Sequence, residues 1–329
     1  MEQSVTLRLL RKDEIETLKA NGCQAEDWKK VHASSNFDPN CIHRVTFYGN
    51  VVIGDCSGSI EVSDGFVKRC GINNATLRNV TIGDNCLIEN IGNYMNNVKI
   101  GDNCHISNVC TIESTGPDAT YGQGNLISVL NEVGKGNLVL FDGLNSQLAA
   151  LMVKQQNNTA FQKAITQLVE KFIKSKKVDC CTIGNNVTII NTNEITDAVI
   201  GDGSHIKGAS RISNCTISSA INNPITIGTG VICENSIISG GSTIINSVKI
   251  VDCMVGEACE LSNGFTAASS VFFANSYMSN GEACAAFCGP FTVSHHKSSL
   301  LIGGQFSFYN AGSATNFSNH AYKMGPMHY

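Results

Sequence analysis

The sequence predicts an all-β solenoid, a parallel β-helix that carries a short N-terminal helix and an inserted helical hairpin. The first sign is the pentapeptide Ile-Gly-Asp-Asn-Cys, which occurs at positions 82–86 and again at 100–104. The second is a related six-residue pattern that recurs along most of the chain. The third is composition, because 31 glycines and only 15% charged residues indicate a turn-rich β-protein.

Each six-residue element begins with an apolar residue and glycine, and a small or branched side chain stands four positions after the apolar residue. The clear copies begin at Ile82, Ile100, Ile183, Ile200, Ile227 and Val255, and looser copies begin at Ile53 and Ile302. Three elements make one coil with three faces and three corners, which matches the interval between the two pentapeptides. Asn and Asp tolerate the left-handed backbone of sharp corners, and the adjacent glycine removes a steric conflict. Longer or shorter intervals between later copies predict loops that interrupt about ten coils.

The cysteines predict core packing rather than disulfide bonds or metal sites. There are 15 of them, no CxxC pair occurs, and the N-terminus has no apolar run that resembles a signal peptide. In a reducing cytoplasm a free thiol behaves as a small hydrophobe, so Cys86, Cys104 and Cys259 should fill the small position of the repeat. The net charge of −4 argues against nucleic acid, and no run of about eighteen apolar residues predicts a membrane span.

Two segments have helical rather than β periodicity, and they set the expected domain organisation. Leu10, Ile15 and Leu18, followed by Gly22, predict a short amphipathic helix within a cap of residues 1–35. The second segment has Leu144, Leu148 and Leu151 at helical spacing, then Phe161, Ile165, Leu168 and Phe172, with Asn158 or Thr159 as the cap between them. The expected order is therefore a cap (1–35), a first β-helical part (36–143), a helical hairpin (144–178) and a second β-helical part (179–329). The hairpin either packs along the solenoid or acts as a lid or a subunit contact.

The composition changes in the last third of the chain. Twelve of the Phe and Tyr residues lie from Phe265 onward, and no Asp or Glu occurs from Ala283 to Tyr329. Four of the eight histidines also lie there. Aromatic, amide and basic groups without carboxylates suit an anionic ligand that has a flat or sugar-like part. The alternative is that the aromatic residues form a terminal cap and the histidines are hydrogen-bonded turn residues.

The candidate site residues follow from this composition. His295, His296 and His320 are candidates for a general base near neutral pH, and Lys297, Gln305, Asn310, Asn319 and Lys323 are candidates for binding the ligand. If residues 295–297 formed a strand, their side chains would diverge and only one histidine would face the site. His105 and His205 are expected at outward-facing corners. No His-x-His or HExxH spacing occurs, so no metal site is predicted.

The repeats resemble those of the left-handed β-helix family of hexapeptide-repeat transferases, which acylate sugars, amines or amino acids from acyl-CoA or acyl-carrier protein. A closer resemblance, over nearly the whole chain, is to an uncharacterised family of long bacterial hexapeptide-repeat proteins often labelled UDP-N-acetylglucosamine pyrophosphorylase-related. It rests on Gly22-Cys23, Asp27-Trp28, the helical insert and the stretches 272–275, 281–284, 292–298, 306–313 and 318–320. The resemblance implies a left-handed coil, acyl-CoA as co-substrate without a required cofactor, and a homo-oligomer, with a trimer favoured. Members of this family continue beyond the Gly325–His328 stretch.

A pyrophosphorylase needs a separate nucleotide-binding α/β domain with a glycine-rich, basic loop, and nothing in the sequence supplies one. The chain contains no GxxxxGK[ST] loop, no GxGxxG at a strand–helix junction and no GxSxG elbow. Three hypotheses stay open. The first is acyl transfer to a nucleotide-sugar or another phosphorylated acceptor, with a histidine base. The second is a non-catalytic scaffold or binding module that forms homo-oligomers, and the third is a hydratase like the β-helical carbonic anhydrases, which requires three histidines around a metal.

Overall fold

The computed structural model describes residues 7–132, 138–318 and 327–328, and they are mainly β-structure. The chain divides into two compact units, Met1–Ala119 with Asp179–Lys207, and Thr120–Val178 with Gly208–Tyr329. Within each unit, most strands pair in parallel with strands one coil away. The predicted all-β class is confirmed, and the pairing is consistent with a solenoid.

The first unit is built mainly from three stacks of parallel strands, whereas Arg8–Leu9 and the two strands of residues 59–69 pair antiparallel. Its strands are Arg8–Leu9, Gln24–Ala25, Val31–Ala33, Ile42–Ile53, Ser59–Ser63, Phe66–Arg69, Gly71–Ile82, Leu87–Ile100, His105–Glu113, Cys181–Ile183, Thr188–Ile190, Glu194–Ile200 and His205–Lys207. The apolar residues that open the repeats form one column, in which Ile53, Ile82, Ile100, Ile183 and Ile200 pair in turn. All five are buried, so the repeat places its large side chain in the interior.

The Ile-Gly-Asp-Asn-Cys copies form corners of this unit. Asn103 has a φ of +55°, a left-handed conformation that asparagine tolerates. A Cβ on Gly83 would lie 2.6 Å from the carbonyl carbon of Gly101, so only glycine fits beneath the next coil. The thiol of Cys86 donates to the Gly101 carbonyl over 3.1 Å. The predicted role of the motif as a packed corner is confirmed.

The stacks are interrupted earlier than the sequence indicated. Ile100 pairs with Ile183, and Ile112 pairs with Ile195, so the coil that ends at Glu113 is continued in register from Cys181. The expected end of the first β-helical part at position 143 is therefore wrong, because the chain leaves the stacks after Glu113. The segment that follows has no helical periodicity, so the spacing of apolar residues did not mark this earlier exit. Asp197, buried and with a φ of +49°, accepts hydrogen bonds from Thr115 N–H (2.8 Å) and Oγ1 (2.7 Å) at this exit.

The N-terminal helix is present where the sequence predicted it. Helix α1 covers Lys12–Ala20 and Gly22 follows it with a φ of +78°. The buried Glu14 carboxylate accepts from Arg8 over 2.7 and 2.8 Å. The 3-10 helices Trp28–Lys30 and Pro39–Cys41 follow. However, Gln24–Ala25 and Val31–Ala33 already pair with Ile42–Ile53, so the solenoid begins inside the expected 1–35 cap.

One of the two histidines expected at exposed corners is buried. His205 is exposed, but the residue exposure of His105 is only 8%. The antiparallel hairpin Ser59–Ser63/Phe66–Arg69 brings Lys68 to Glu89, with Nζ 2.6 Å from Oε1. Burial lowers the pKa of the His105 imidazole. The positive charge of Lys68 also lowers this pKa, whereas the negative charge of Glu89 raises it.

The second unit also has three stacks, which we name by their strands. Stack A contains Thr226–Ile227, Thr243–Ile244, Glu260–Ser262, Tyr277–Ser279, Val293–Ser294 and Asn310–Ala311. Stack B contains the start of Arg211–Ser218, then Ile232–Glu234, Lys249–Val251, Thr266–Ala268, Glu282–Cys284, Leu300–Ile302 and Asn316–Ser318. Stack C contains the end of Arg211–Ser218, then Ile237–Ser239, Met254–Val255, Val271–Phe272, Phe287–Cys288, Gly304–Phe306 and Met327–His328.

The coils of the second unit are mostly shorter than the three full elements that the sequence predicted. In stack A, successive paired positions lie one residue closer together in the sequence than three six-residue elements would place them. These positions are Thr226, Thr243, Glu260 and Tyr277. Ile227 lies in stack A and Val255 in stack C, so their interval does not mark an interrupted coil. The corners tolerate a residue more or less, which is why the spacing of copies alone misjudged the loops.

The insert contributes two helices that cover stack C. After a short hairpin, Leu126–Ile127 with Leu138–Val139, helix α2 spans Ser146–Lys154 and helix α3 spans Thr159–Lys176. Asn158 caps α3 by accepting from Phe161 N–H. The buried residues of the helices join stack C in one apolar cluster: Ala149, Met152, Val153, Ile165 and Val169 with Ile237, Met254, Val271 and Phe287. Leu151 and Leu168, which share the helical spacing of the apolar positions, are 45% and 59% exposed.

The cysteines behave as packing residues. All 15 thiols are free, and Cys110 is exposed while Cys180 and Cys284 are partly buried. Burial raises the pKa of Cys215, Cys253 and Cys259 to about 12, which keeps these thiols protonated. No helix in the described part of the chain is both long and apolar enough to cross a membrane.

Candidate functional site

The two adjacent histidines lie in an expanded corner of the second unit. Residues 295–298 connect Val293–Ser294 of stack A to Leu300–Ile302 of stack B. The first residues of these strands are seven positions apart, compared with six for Glu260 and Thr266 two coils earlier. We call residues 295–298 the HHK turn. The premise that these residues continue a strand is wrong, and the turn brings both imidazoles together, with ring centroids 4.3 Å apart.

The HHK turn is held by contacts on both sides. The His295 ring stacks on Tyr277 of the preceding coil, with centroids 6.1 Å apart and an interplanar angle of 21°. Asn280 Nδ2 donates to the His295 carbonyl over 3.4 Å, and Ser299 N–H donates to the His296 carbonyl over 3.2 Å. His295 is exposed and His296 is half-buried. The turn therefore presents both rings at the surface while its backbone is anchored.

His296 has a hydroxyl partner that sequence reasoning missed. Ser313 Oγ lies 3.2 Å from His296 Nδ1. Ser313 follows His296 by one coil of the usual length for this unit, so the coil spacing contains the signal that would have paired them. A hydrogen bond at Nδ1 fixes the orientation of the ring, and the serine hydroxyl can serve as its donor or its acceptor.

The structure brings some of the other candidate residues to the HHK turn and places others elsewhere. Lys297 is exposed in the turn itself. Asn310 is exposed in stack A, in register with Val293, and thus lies on the same face. Gln305 pairs with Phe287 in stack C, so the structure does not bring it to the HHK turn. His320, Asn319 and Lys323 lie outside the described residues.

An exposed pair of aromatic rings lies where the strands of stack A begin, at the end away from the HHK turn. Phe291 and Phe308 stack with centroids 5.4 Å apart, and they are 50% and 78% exposed. Both have left-handed backbones, with φ of +59° and +51°, which is unusual for a bulky side chain. We call this pair the phenylalanine ladder. With Val293, Tyr309 and Asn310 it lines a shallow pocket of about 410 Å³.

The described residues offer no obvious metal centre. Across 7–132, 138–318 and 327–328, no group of three or more His, Cys, Asp or Glu side chains is placed to hold a metal ion. The HHK turn and the adjoining part of stack A instead present imidazole nitrogens, a hydroxyl, an exposed ammonium group, an amide and aromatic rings. This set can bind a ligand with a flat part and can move a proton.

The fold and the site define a mainly-β repeat protein with an imidazole–hydroxyl turn and an aromatic ladder on one face of its second unit. The chain belongs to the family described as "Domain of unknown function (DUF4954)", whose model matches residues 7–329. It is similar to an uncharacterized protein of Treponema pallidum (strain Nichols), with 28% identity over 336 residues. The match covers 95% of this chain and 45% of the relative, so the chain spans less than half the length of that protein.

Proposed function

We propose that this protein is a left-handed β-helical, hexapeptide-repeat transferase that moves an acyl group to a nucleotide-sugar or another phosphorylated acceptor, with His296 as the general base. The observation that carries the proposal is the contact of 3.2 Å between His296 Nδ1 and Ser313 Oγ in an exposed turn. The handedness and the acyl-transfer class follow from the resemblance of the repeats. In this proposal His296 is the base, and Lys297, Asn310 and the phenylalanine ladder form the binding surface.

In the proposed step, His296 keeps its proton on Nδ1, and this N–H donates a hydrogen bond to Ser313 Oγ. Nε2 is then unprotonated and accepts the proton of the acceptor hydroxyl or amine as it attacks the acyl carbon. The new acyl C–O or C–N bond forms, the C–S bond of acyl-CoA breaks, and the thiolate takes the proton from His296. No oxidant, reductant or metal is needed for this balance.

The proposed ligand contacts depend on the charge and polarity of the side chains at and beside the HHK turn. Lys297 is placed to neutralise phosphate, and Asn310 is placed to hydrogen-bond a sugar hydroxyl or an amide. The phenylalanine ladder gives a flat base or ring a surface on which to stack. His295, stacked on Tyr277, is a second donor beside His296 rather than a second base.

The test is turnover by single-histidine variants with acetyl-CoA and a panel of UDP-sugars, with acylated product detected by mass spectrometry. We expect His296→Ala to reduce turnover by about 100-fold or more, the usual contribution of a general base. Ser313→Ala should have a smaller effect. His205→Ala is the matched control, since His205 is an exposed histidine of the first unit. Equal turnover of wild type and His296→Ala would contradict the proposed role.

A second candidate function is a non-catalytic scaffold that forms homo-oligomers, with a trimer favoured. It is supported by the phenylalanine ladder, because exposed stacked aromatic rings are typical of interfaces. The discriminating measurement is the mass of the particle by light scattering. If the ladder drives assembly, Phe308→Asn should shift the oligomer toward the monomer, whereas an unchanged mass would remove this support.

A further inference from the structure

A second pocket is also lined by Phe291, at the corner that precedes stack A. It has a volume of about 530 Å³ and is formed by the loop at the start of α2, residues 142–147, and by successive corners of the solenoid coils. The corners contribute Gly256-Glu257, Phe273-Ala274 and Pro290-Phe291. Pockets of about 300–1,000 Å³ are the usual size for small-molecule ligands. We call it the insert pocket.

The chemistry of the insert pocket differs from that of the HHK turn. Two carboxylates, Asp142 and Glu257, line it, and none of its lining residues is Lys, Arg or His. Asn145, Gln147 and two serine hydroxyls add neutral polar groups. A phosphate or carboxylate ligand would be repelled here, whereas a neutral molecule with several hydroxyl groups would find many acceptors.

Asp142 is held in position by residues of the second unit. Its backbone N–H donates to Gln123 Oε1 over 2.9 Å, and the Ser218 hydroxyl donates to its Oδ1. Gln123 is itself fixed by donating to Thr216 Oγ1 over 2.9 Å. Among the described residues no group donates to Asp142 Oδ2, so the carboxylate has a remaining acceptor in a fixed orientation.

The corner at Phe291 is unusual in a way that also favours a ligand. One coil earlier the corresponding corner residue is Asn275, which has the same φ of +59° and is a residue that tolerates this conformation. Phe291 adopts it at a steric disadvantage and leaves its ring half exposed at the pocket wall. Strained residues kept at a pocket are an indication of function.

We propose that the insert pocket binds a neutral saccharide. Asp142 and Glu257 would accept hydrogen bonds from ring hydroxyls, and the ring of Phe291 would stack against the apolar C–H face of the sugar. This site is distinct from the anion-binding turn and does not depend on the proposed acyl transfer. Because Phe291 lines both pockets, it is the one side chain that ligands at the two sites would share.

The test is saturation-transfer NMR with the full chain and methyl α-glucopyranoside, N-acetylglucosamine and maltose, with glucose 1-phosphate as the charged counterpart. At least one neutral sugar should receive saturation, and glucose 1-phosphate should compete at least tenfold more weakly. No transfer to any neutral sugar, or a preference for the phosphate, would overturn the proposal.

Two variants locate the binding. Glu257→Gln should weaken the best sugar about tenfold or more, the usual effect of losing a hydrogen bond to a charged group. Phe291→Asn, which copies the residue one coil earlier, should fold normally and also weaken binding. Phe66→Asn is the matched control, since Phe66 is an exposed phenylalanine of the first unit that does not line the insert pocket, and it should retain affinity within about threefold. Unchanged affinity in both Glu257→Gln and Phe291→Asn would place the sugar elsewhere and contradict the assignment.

Discussion

At the scale of single residues, the corners of the coils impose two different demands. Asparagine meets the first, because a left-handed residue with a Cβ costs about 1–2 kcal/mol unless its side chain is Asn or Asp. Glycine meets the second, because neighbouring coils approach the backbone too closely for any Cβ. In Ile-Gly-Asp-Asn-Cys the two residues stand two positions apart, so substitutions can separate the demands.

We expect Asn103→Gly to be tolerated and Asn103→Ala to lower the free energy of unfolding by about 1 kcal/mol. Gly83→Ala should cost more, about 2 kcal/mol or more, because its Cβ would meet the Gly101 carbonyl group. Urea denaturation of the three variants and the wild type gives the comparison. A Gly83→Ala protein as stable as Asn103→Gly would show that the coils are not packed as described.

The thiols give a second prediction at this scale. Cys110 is exposed, whereas Cys253 is buried and its thiol has a pKa raised to about 12 by that burial. Brief treatment of the native protein with iodoacetamide at about pH 7.5 should therefore label Cys110 well before Cys253, which should react only after unfolding. Peptide mass spectrometry measures the order. Early labelling of Cys253 would contradict its place in the core.

At the scale of elements, the burial of His105 in the first unit creates a pH dependence of stability. Lys68 of the hairpin of residues 59–69, with Glu89 and Lys207, provides the charges that act on the imidazole. Burial lowers the pKa of His105 below the value of about 6.5 that it has in the unfolded chain. The unfolded state then binds more protons, so stability falls as the pH decreases below about 6.5 toward the folded-state pKa.

We expect His105→Gln to reduce this loss of stability between about pH 7 and pH 5, because glutamine does not titrate. The measurement is the denaturation midpoint of both proteins across that range. His205→Gln, at an exposed histidine, is the control and should follow the wild type. Parallel curves for wild type and His105→Gln would contradict the contribution of His105.

Helix α3 tests how the insert packs. Val169 is buried against stack C and its neighbour Leu168 is 59% exposed. Val169→Ala should therefore lower the free energy of unfolding by about 2 kcal/mol, and Leu168→Ala should change it by less than about 0.5 kcal/mol. Thermal or urea unfolding of the two variants and the wild type measures both changes in the free energy of unfolding. A larger loss for Leu168→Ala than for Val169→Ala would contradict the packing of helix α3 against stack C.

At the scale of the whole molecule, periodic features were predictable from the sequence and exceptions were not. The parallel β-class, helix α1 and the corner role of Ile-Gly-Asp-Asn-Cys follow from repeated local patterns. The start of the insert does not, because residues 114–143 carry neither the β repeat nor helical spacing. The burial of His105 was not predictable, because single-sequence periodicity puts it in the same column of corners as the exposed His205.

The candidate site was predictable to the same limited degree. The composition of the last third directed attention to His295, His296 and Lys297, which the structure places in one turn. Ser313 was missed because its contact with His296 crosses from one coil to the next. Gln305 was included because it is near in sequence, but a solenoid places residues half a coil apart on different faces. The insert pocket combines residues that are far apart in the sequence, which no local pattern could reveal.

We propose that the HHK turn is a ligand-binding site, and ligand affinity with and without the His296 imidazole tests this proposal. Isothermal titration of the full chain with UDP-N-acetylglucosamine and with acetyl-CoA compares wild type, His296→Ala and the control His205→Ala. We expect at least one ligand to bind the wild type and His205→Ala equally, and to bind His296→Ala at least tenfold more weakly. Absence of binding by both ligands, or equal affinity in all three proteins, would contradict this proposal.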